Sequence, residues 1–108
     1  MNYKIKDLPL DERPREKLIQ KGKESLSNEE LIAILLRTGT KKESVKDLSI
    51  KLVKTLNNIK DLNTISYLDL IKIEGIKEAK AITLIAAIEL GKRIITPEEN
   101  TKIKINKY

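Results

Sequence analysis

Three serines punctuate this chain in the same way. Ser27, Ser44 and Ser66 each stand three residues ahead of a carboxylate, Glu30, Asp47 and Asp69, and each opens a run whose apolar residues recur every three or four positions. The first amides of an α-helix have no partner inside the helix. A serine hydroxyl accepts from one of them, and a carboxylate at this spacing reaches back to the serine amide. The pattern therefore marks helix starts, and it leaves little chain over for a sheet.

The remaining helix boundaries follow from Pro, Gly and periodicity. Pro14 fits the first position of a short helix that ends at Gly22. The Ser27 helix, with Leu26 and Leu31 as a hydrophobic staple, runs through Ile32, Leu35 and Leu36 and is expected to stop at Gly39 as a left-handed C-cap. The third helix starts at Ser44, with Thr40 and Glu43 as a competing start, and lines Val45, Leu48, Leu52 and Leu56 on one face. Residues 57–65 read as a connector with a single helical turn, Ile59 and Leu62 pointing inward. Ser66, with Ile65 and Leu70 as its staple, opens a helix that ends near Ile73. A long helix then runs from just after Gly75 to about Ile95, where Pro97 stops it. Its residues 81–88 are apolar on nearly every side, which predicts a central place in the domain. The expected fold is all-α, a small domain of five or six helices over residues 1–97 with one or two helical hairpins. The segments 28–56 and 66–95 form a weak internal repeat. Residues 98–108, ending in T-K-I-K-I-N-K-Y, read as a linker or a first strand leading elsewhere.

Composition removes most chemistry. With no cysteine and no histidine, the chain has no disulfides, thiolate zinc sites or imidazole acid–base groups. Its carboxylates, such as Glu29, Glu30, Glu98 and Glu99, fall at helix ends or on surfaces, and it has neither a phosphate loop nor a nucleophile elbow. No enzyme activity and no cofactor are expected of this chain. The N-terminus is charged before any signal-peptide core forms, and the apolar run from Ala81 to Ile88 is too short to cross a bilayer, so a cytoplasmic protein without a membrane partner is expected. The net charge of +6 points toward nucleic acid, although ordinary solvated helix faces in a lysine-rich chain also account for it. Three tyrosines with no Phe or Trp supply no platform for stacking bases, so any such contact should run to phosphates.

The stretch I-K-I-E-G-I-K-E-A-K-A-I at 71–82 is where a phosphate would go. A helix start offers unpaired amides and a partial positive charge, and a glycine turn lets the backbone come close. Gly75 and Ile76 make such a turn, Lys77 and Lys80 follow it, and Ala79 and Ile82 are expected to face inward. Glu74 and Glu78 flank it and repel anions. The plain alternative is a corner between packed helices whose glycine is only a C-cap. The loop T-G-T-K-K-E at 38–43, with Lys41 and Lys42, reads either as a degenerate second copy of the turn or as a solvated loop.

These blocks together resemble the N-terminal region of the RadC family, described historically as DNA repair proteins. The resemblance covers about residues 5 to 105 and rests on D-L-P-L-D-E-R-P-R-E-K-L at 7–18, L-S-N-E-E-L-I-A-I-L-L-R-T-G-T at 26–40, S-V-K-D-L at 44–48, I-E-G-I-K-E-A-K-A at 73–81 and E-L-G-K-R at 89–93. It implies a helix-hairpin-helix domain followed by a JAMM-type metallopeptidase-like domain that holds zinc through an H-x-H pair and an aspartate. This chain has no histidine, so the resemblance implies an N-terminal fragment without that part. The family's hairpin usually reads G-I-G, whereas here Lys77 stands in place of the second glycine.

Two functions compete on this reading. One is sequence-independent DNA binding through Gly75, Ile76, Lys77 and Lys80, with Lys41 and Lys42 reaching a second strand. The other is an interaction or regulatory module for the C-terminal metallopeptidase-like domain, with no direct DNA contact.

Overall fold

The computed structural model describes residues 13–97. Among them are five α-helices: α1 (Pro14–Lys21), α2 (Asn28–Leu36), α3 (Val45–Lys54), α4 (Tyr67–Ile71) and α5 (Glu78–Ile95), with short 3-10 turns at Lys23–Ser25 and Ile59–Asn63. No strand occurs among these residues. The fold is all-α, as the sequence pattern requires, and the segment at 101–108 read as a strand lies outside the described residues.

The serine starts form as the spacing dictates. At Ser27 and Ser66 both halves of the capping box are made, the hydroxyl accepting from the third amide and Glu30 or Asp69 accepting from the serine N–H. At Ser44 only the first half is made: its hydroxyl accepts from the Asp47 amide, and Asp47 Oδ2 is buried without a partner. Thr40 does not start a helix. Its hydroxyl accepts from the amides of Lys42 and Glu43 and so ties a tight turn just before α3. Burial acts to raise the Glu30 carboxyl, but the Ser27 amide and the Lys17 ammonium at 3.1 Å hold it below the ordinary carboxylate range. That ion pair also joins α1 to α2.

The core is built from one face of each later helix. Leu48 and Leu52 of α3 and Leu70 of α4 are fully covered, and Leu36, Ile76 and Leu84 nearly so. Fully burying each such side chain is worth about 1.5–3 kcal/mol, against about 1 kcal/mol for a cap. Packing therefore supplies most of the stability, while the caps set where each helix begins. α2 packs on α3 and α4 packs on α5, and contact between α2 and α5 joins the two pairs.

Several expectations need correction. α2 stops at Leu36, not Gly39. Arg37 takes φ 71°, ψ −52°, and the Thr38 amide donates to the Leu36 carbonyl at 2.8 Å, which makes a γ-turn of the rarer, positive-φ kind. Gly39 serves a different purpose. A Cβ there would run into the backbone oxygen of Glu43 and lie 2.6 Å from Ser44 C and 2.7 Å from Val45 N. The glycine lets the loop fold flat against the start of α3. α4 ends two residues early, at Ile71. Leu31 is 39 % exposed and Ile59 36 % exposed, whereas Leu26 is buried and Leu62 packs against the core. α5 is not central either. Only Ala81 and Leu84 are buried on it, Ala79 is exposed and Ile82 is 51 % exposed, because neighbours cover one face of its first half and leave the rest of the helix in solvent.

Urea unfolding of two variants tests the loop. Gly39→Ala is expected to lose about 1–3 kcal/mol, as overpacking against fixed backbone does. Arg37→Gly relieves the positive-φ strain and is expected to gain about 1 kcal/mol.

Candidate nucleic-acid interface

The turn between α4 and α5 is built around Gly75, which has φ +99°. A side chain there would be strained, and its Cβ would sit 2.8 Å from Leu48 Cδ1 of α3. The same Cβ would lie 3.4 Å from Thr40 Cγ2 and 3.4 Å from Glu43 Oε2. The glycine therefore presses the second turn directly onto the first loop. In the sequence 38–43 and 71–82 are separate stretches, and the structure places their turns side by side.

Polar contacts cross the same seam. The Lys42 ammonium pairs with Glu74 at 3.1 Å, and the Lys80 ammonium donates to Thr38 Oγ1 at 3.3 Å. Glu43 accepts from Lys51 at 2.6 Å. The hydrogen bond from Lys42, its charge and the charge of Lys51 hold the Glu74 carboxyl below the usual range. Glu74 thus turns toward the neighbouring loop and not over the start of α5.

That start is the only one of the four helices after α1 without a side-chain cap. Lys77 is the N-cap in extended conformation, and its carbonyl accepts from the Ala81 amide. Among the described residues, no acceptor meets the amides of Glu78, Ala79 and Lys80. Lys77 and Lys41 are exposed, and their ammonium groups make no ion pair or hydrogen bond among these residues. Ile76 plays another part. Its side chain is 1 % exposed and its amide donates to the Ile73 carbonyl at 3.0 Å, so it anchors the turn to the core.

Thr38, Thr40 and Glu43 organise the corner, and sequence reading assigned them no role in it. The available signal was the T-x-x-E spacing at 40–43, which reads equally as a helix start. Arg37, exposed at the head of the same loop, was missed because nothing in its neighbours announces a γ-turn. Arg37, Lys41, Lys42, Lys77 and Lys80 set five cations against Glu43, Glu74 and Glu78 at this corner, and Glu43 is already paired with Lys51. No cluster of three or more metal-capable side chains occurs among the described residues, and no helix there is long and apolar enough to cross a membrane.

The Lys42–Glu74 contact has a direct test. In Lys42→Ala the Glu74 carboxyl is expected to titrate at higher pH, closer to its ordinary value, as followed by carboxyl carbon NMR.

A profile described as UPF0758 N-terminal matches residues 5–82. A UPF0758 protein of Bacillus licheniformis is 56 % identical over 91 residues, covering 84 % of this chain and 41 % of the relative. The UPF0758 protein YsxA of Bacillus subtilis is 52 % identical over 91 residues, covering 84 % of this chain and 39 % of the relative. A UPF0758 protein of Staphylococcus aureus is 50 % identical over 102 residues, covering 94 % and 45 %. The chain thus spans less than half the length of these relatives. No solved structure matches it. Residue blocks, profile and relatives agree: the chain belongs to the UPF0758 family, the RadC-like family its motifs resemble.

Proposed function

We propose that this domain binds DNA without regard to sequence, holding backbone phosphates at the corner where the two loops meet. The observation that carries the reading is the open start of α5. Its amides at Glu78, Ala79 and Lys80 have no acceptor among the described residues, and Lys77 and Lys80 flank them. Helix starts of this kind accept phosphate through backbone donors and the helix dipole. One strand would lie along these amides with Lys77 and Lys80. Lys41 and Lys42, brought to the same corner by Gly75, would reach the other strand. Ile76 contributes by fixing the turn, and Gly75 by allowing its close approach.

The acidic neighbours argue less strongly against this than their number suggests. Glu74 is engaged by Lys42, and Glu43 by Lys51. Glu78 remains exposed in the first turn and tempers affinity without closing the site. The single described aromatic, Tyr67, is 38 % exposed on α4, away from the turn in sequence, which agrees with phosphate contact in place of base stacking.

Fluorescence anisotropy with a labelled duplex tests the proposal. With about four phosphates engaged, log affinity is expected to fall with log salt at a slope of about −3 to −4. Lys77→Glu/Lys80→Glu should abolish binding, and Glu74→Gln, which frees Lys42, should strengthen it several-fold. Absence of binding at low salt, or indifference to the double reversal, would refute the proposal.

A further inference from the structure

The second half of α5 carries a feature that the DNA reading does not use. Every residue from Glu89 to Pro97 is exposed, yet Leu90 is 61 %, Ile94 73 % and Ile95 80 % in solvent. A helix lying on a domain normally keeps charged and polar residues on the face turned away from it. Here the charged residues are confined to one side. Lys92 donates to the Asn63 carbonyl at 3.1 Å and ties that side of the helix to the Ile59–Asn63 turn. Arg93 pairs with Glu89 at 3.0 Å on the flank. At about 100° per residue, Leu90 and Ile94 fall roughly 160° and 200° around from Lys92, directly away from the domain. Thr83 and Ala87 continue the same line toward the middle of the helix. The result is a narrow stripe anchored by the exposed Leu90 and Ile94, with the half-buried Ala87 and the exposed Thr83 continuing its line, on a helix pinned on its other side.

The length of the relatives says what covers it. The matching profile is described as N-terminal, and the relatives run to more than twice the matched length. In those longer chains the polypeptide continues past the end of α5. The size of the stripe points the same way. A stable interface between free partners takes about 800 Å² from each side, which a few half-exposed aliphatic side chains do not supply. A tethered partner needs much less, because a short linker holds it at an effective concentration in the millimolar range. A second copy of this chain has no such advantage.

We infer that the outward stripe of α5 is the docking face for the C-terminal half that the longer chains of this family carry. Leu90 and Ile94 are its anchors. Leu90 and Ile94 lie about 20–26 Å along the helix from the Lys77 corner, at 1.5 Å per residue, so the domain would hold its own C-terminal half and a nucleic acid at opposite ends of one helix. This inference is independent of the DNA proposal, and neither fails with the other.

Amide hydrogen exchange provides the test. Residues 88–96 are compared in the 108-residue chain and in the longer chain that carries these residues followed by the C-terminal half. Protection of this segment is expected to rise at least tenfold in the longer chain. In the longer chain with Leu90→Gln/Ile94→Gln, it should return to the level of the short chain, while the amides of Leu48 and Leu52 keep theirs and report an intact core. Three results would overturn the inference: equal exchange in the short and long chains, protection that survives the double substitution, or protection in the short chain that grows with its concentration, which would assign the face to a second copy.

Discussion

The contact of Gly75 with Leu48 is the constraint on which the rest of the arrangement depends. Leu48 is fully buried on α3, so its position is fixed by the core. The turn into α5 can approach it only where no Cβ intervenes. That approach brings Glu74 within reach of Lys42 and Lys80 within reach of Thr38. Two segments over thirty residues apart in sequence become one surface because a single side chain is missing between them.

Charge at this surface is arranged more by pairing than by number. The ion pair of Lys42 and Glu74 is largely solvated, and pairs of that kind contribute little to stability. Its importance is directional, since it draws a carboxylate across the seam and leaves the amides of α5 uncovered. The pair of Lys51 and Glu43 is less exposed and lies under the loop, where it offsets the acid nearest Gly75.

Local chemistry made the helix starts legible, and long-range packing hid much of the rest. Ser27, Ser44 and Ser66 are caps as read, because a cap is settled by residues three apart. Asn58 with Asp61 makes the same box and went unread, since the turn it opens has too few residues to show a period. The sequence points to the wrong end for α2 because glycine is the ordinary residue at positive φ, and here Arg37 takes that conformation while Gly39 serves a steric purpose. The apolar residues of α5 suggest a central place, yet apolarity records only a need for cover and says nothing of where the cover comes from. The meeting of the two loops could not be read at all: it depends on how α3 and α5 lie against each other, and no spacing within either loop encodes it.

The bare beginning of α5 has a thermodynamic side. A missing cap leaves about 1 kcal/mol of available stabilisation unrealised. Any anion that settles there adds stabilisation in proportion to the logarithm of its concentration over its dissociation constant. On the proposed reading, resistance to heat and occupancy of this corner become linked quantities, and even inorganic phosphate, which has no strand to offer, would shift the melting temperature upward.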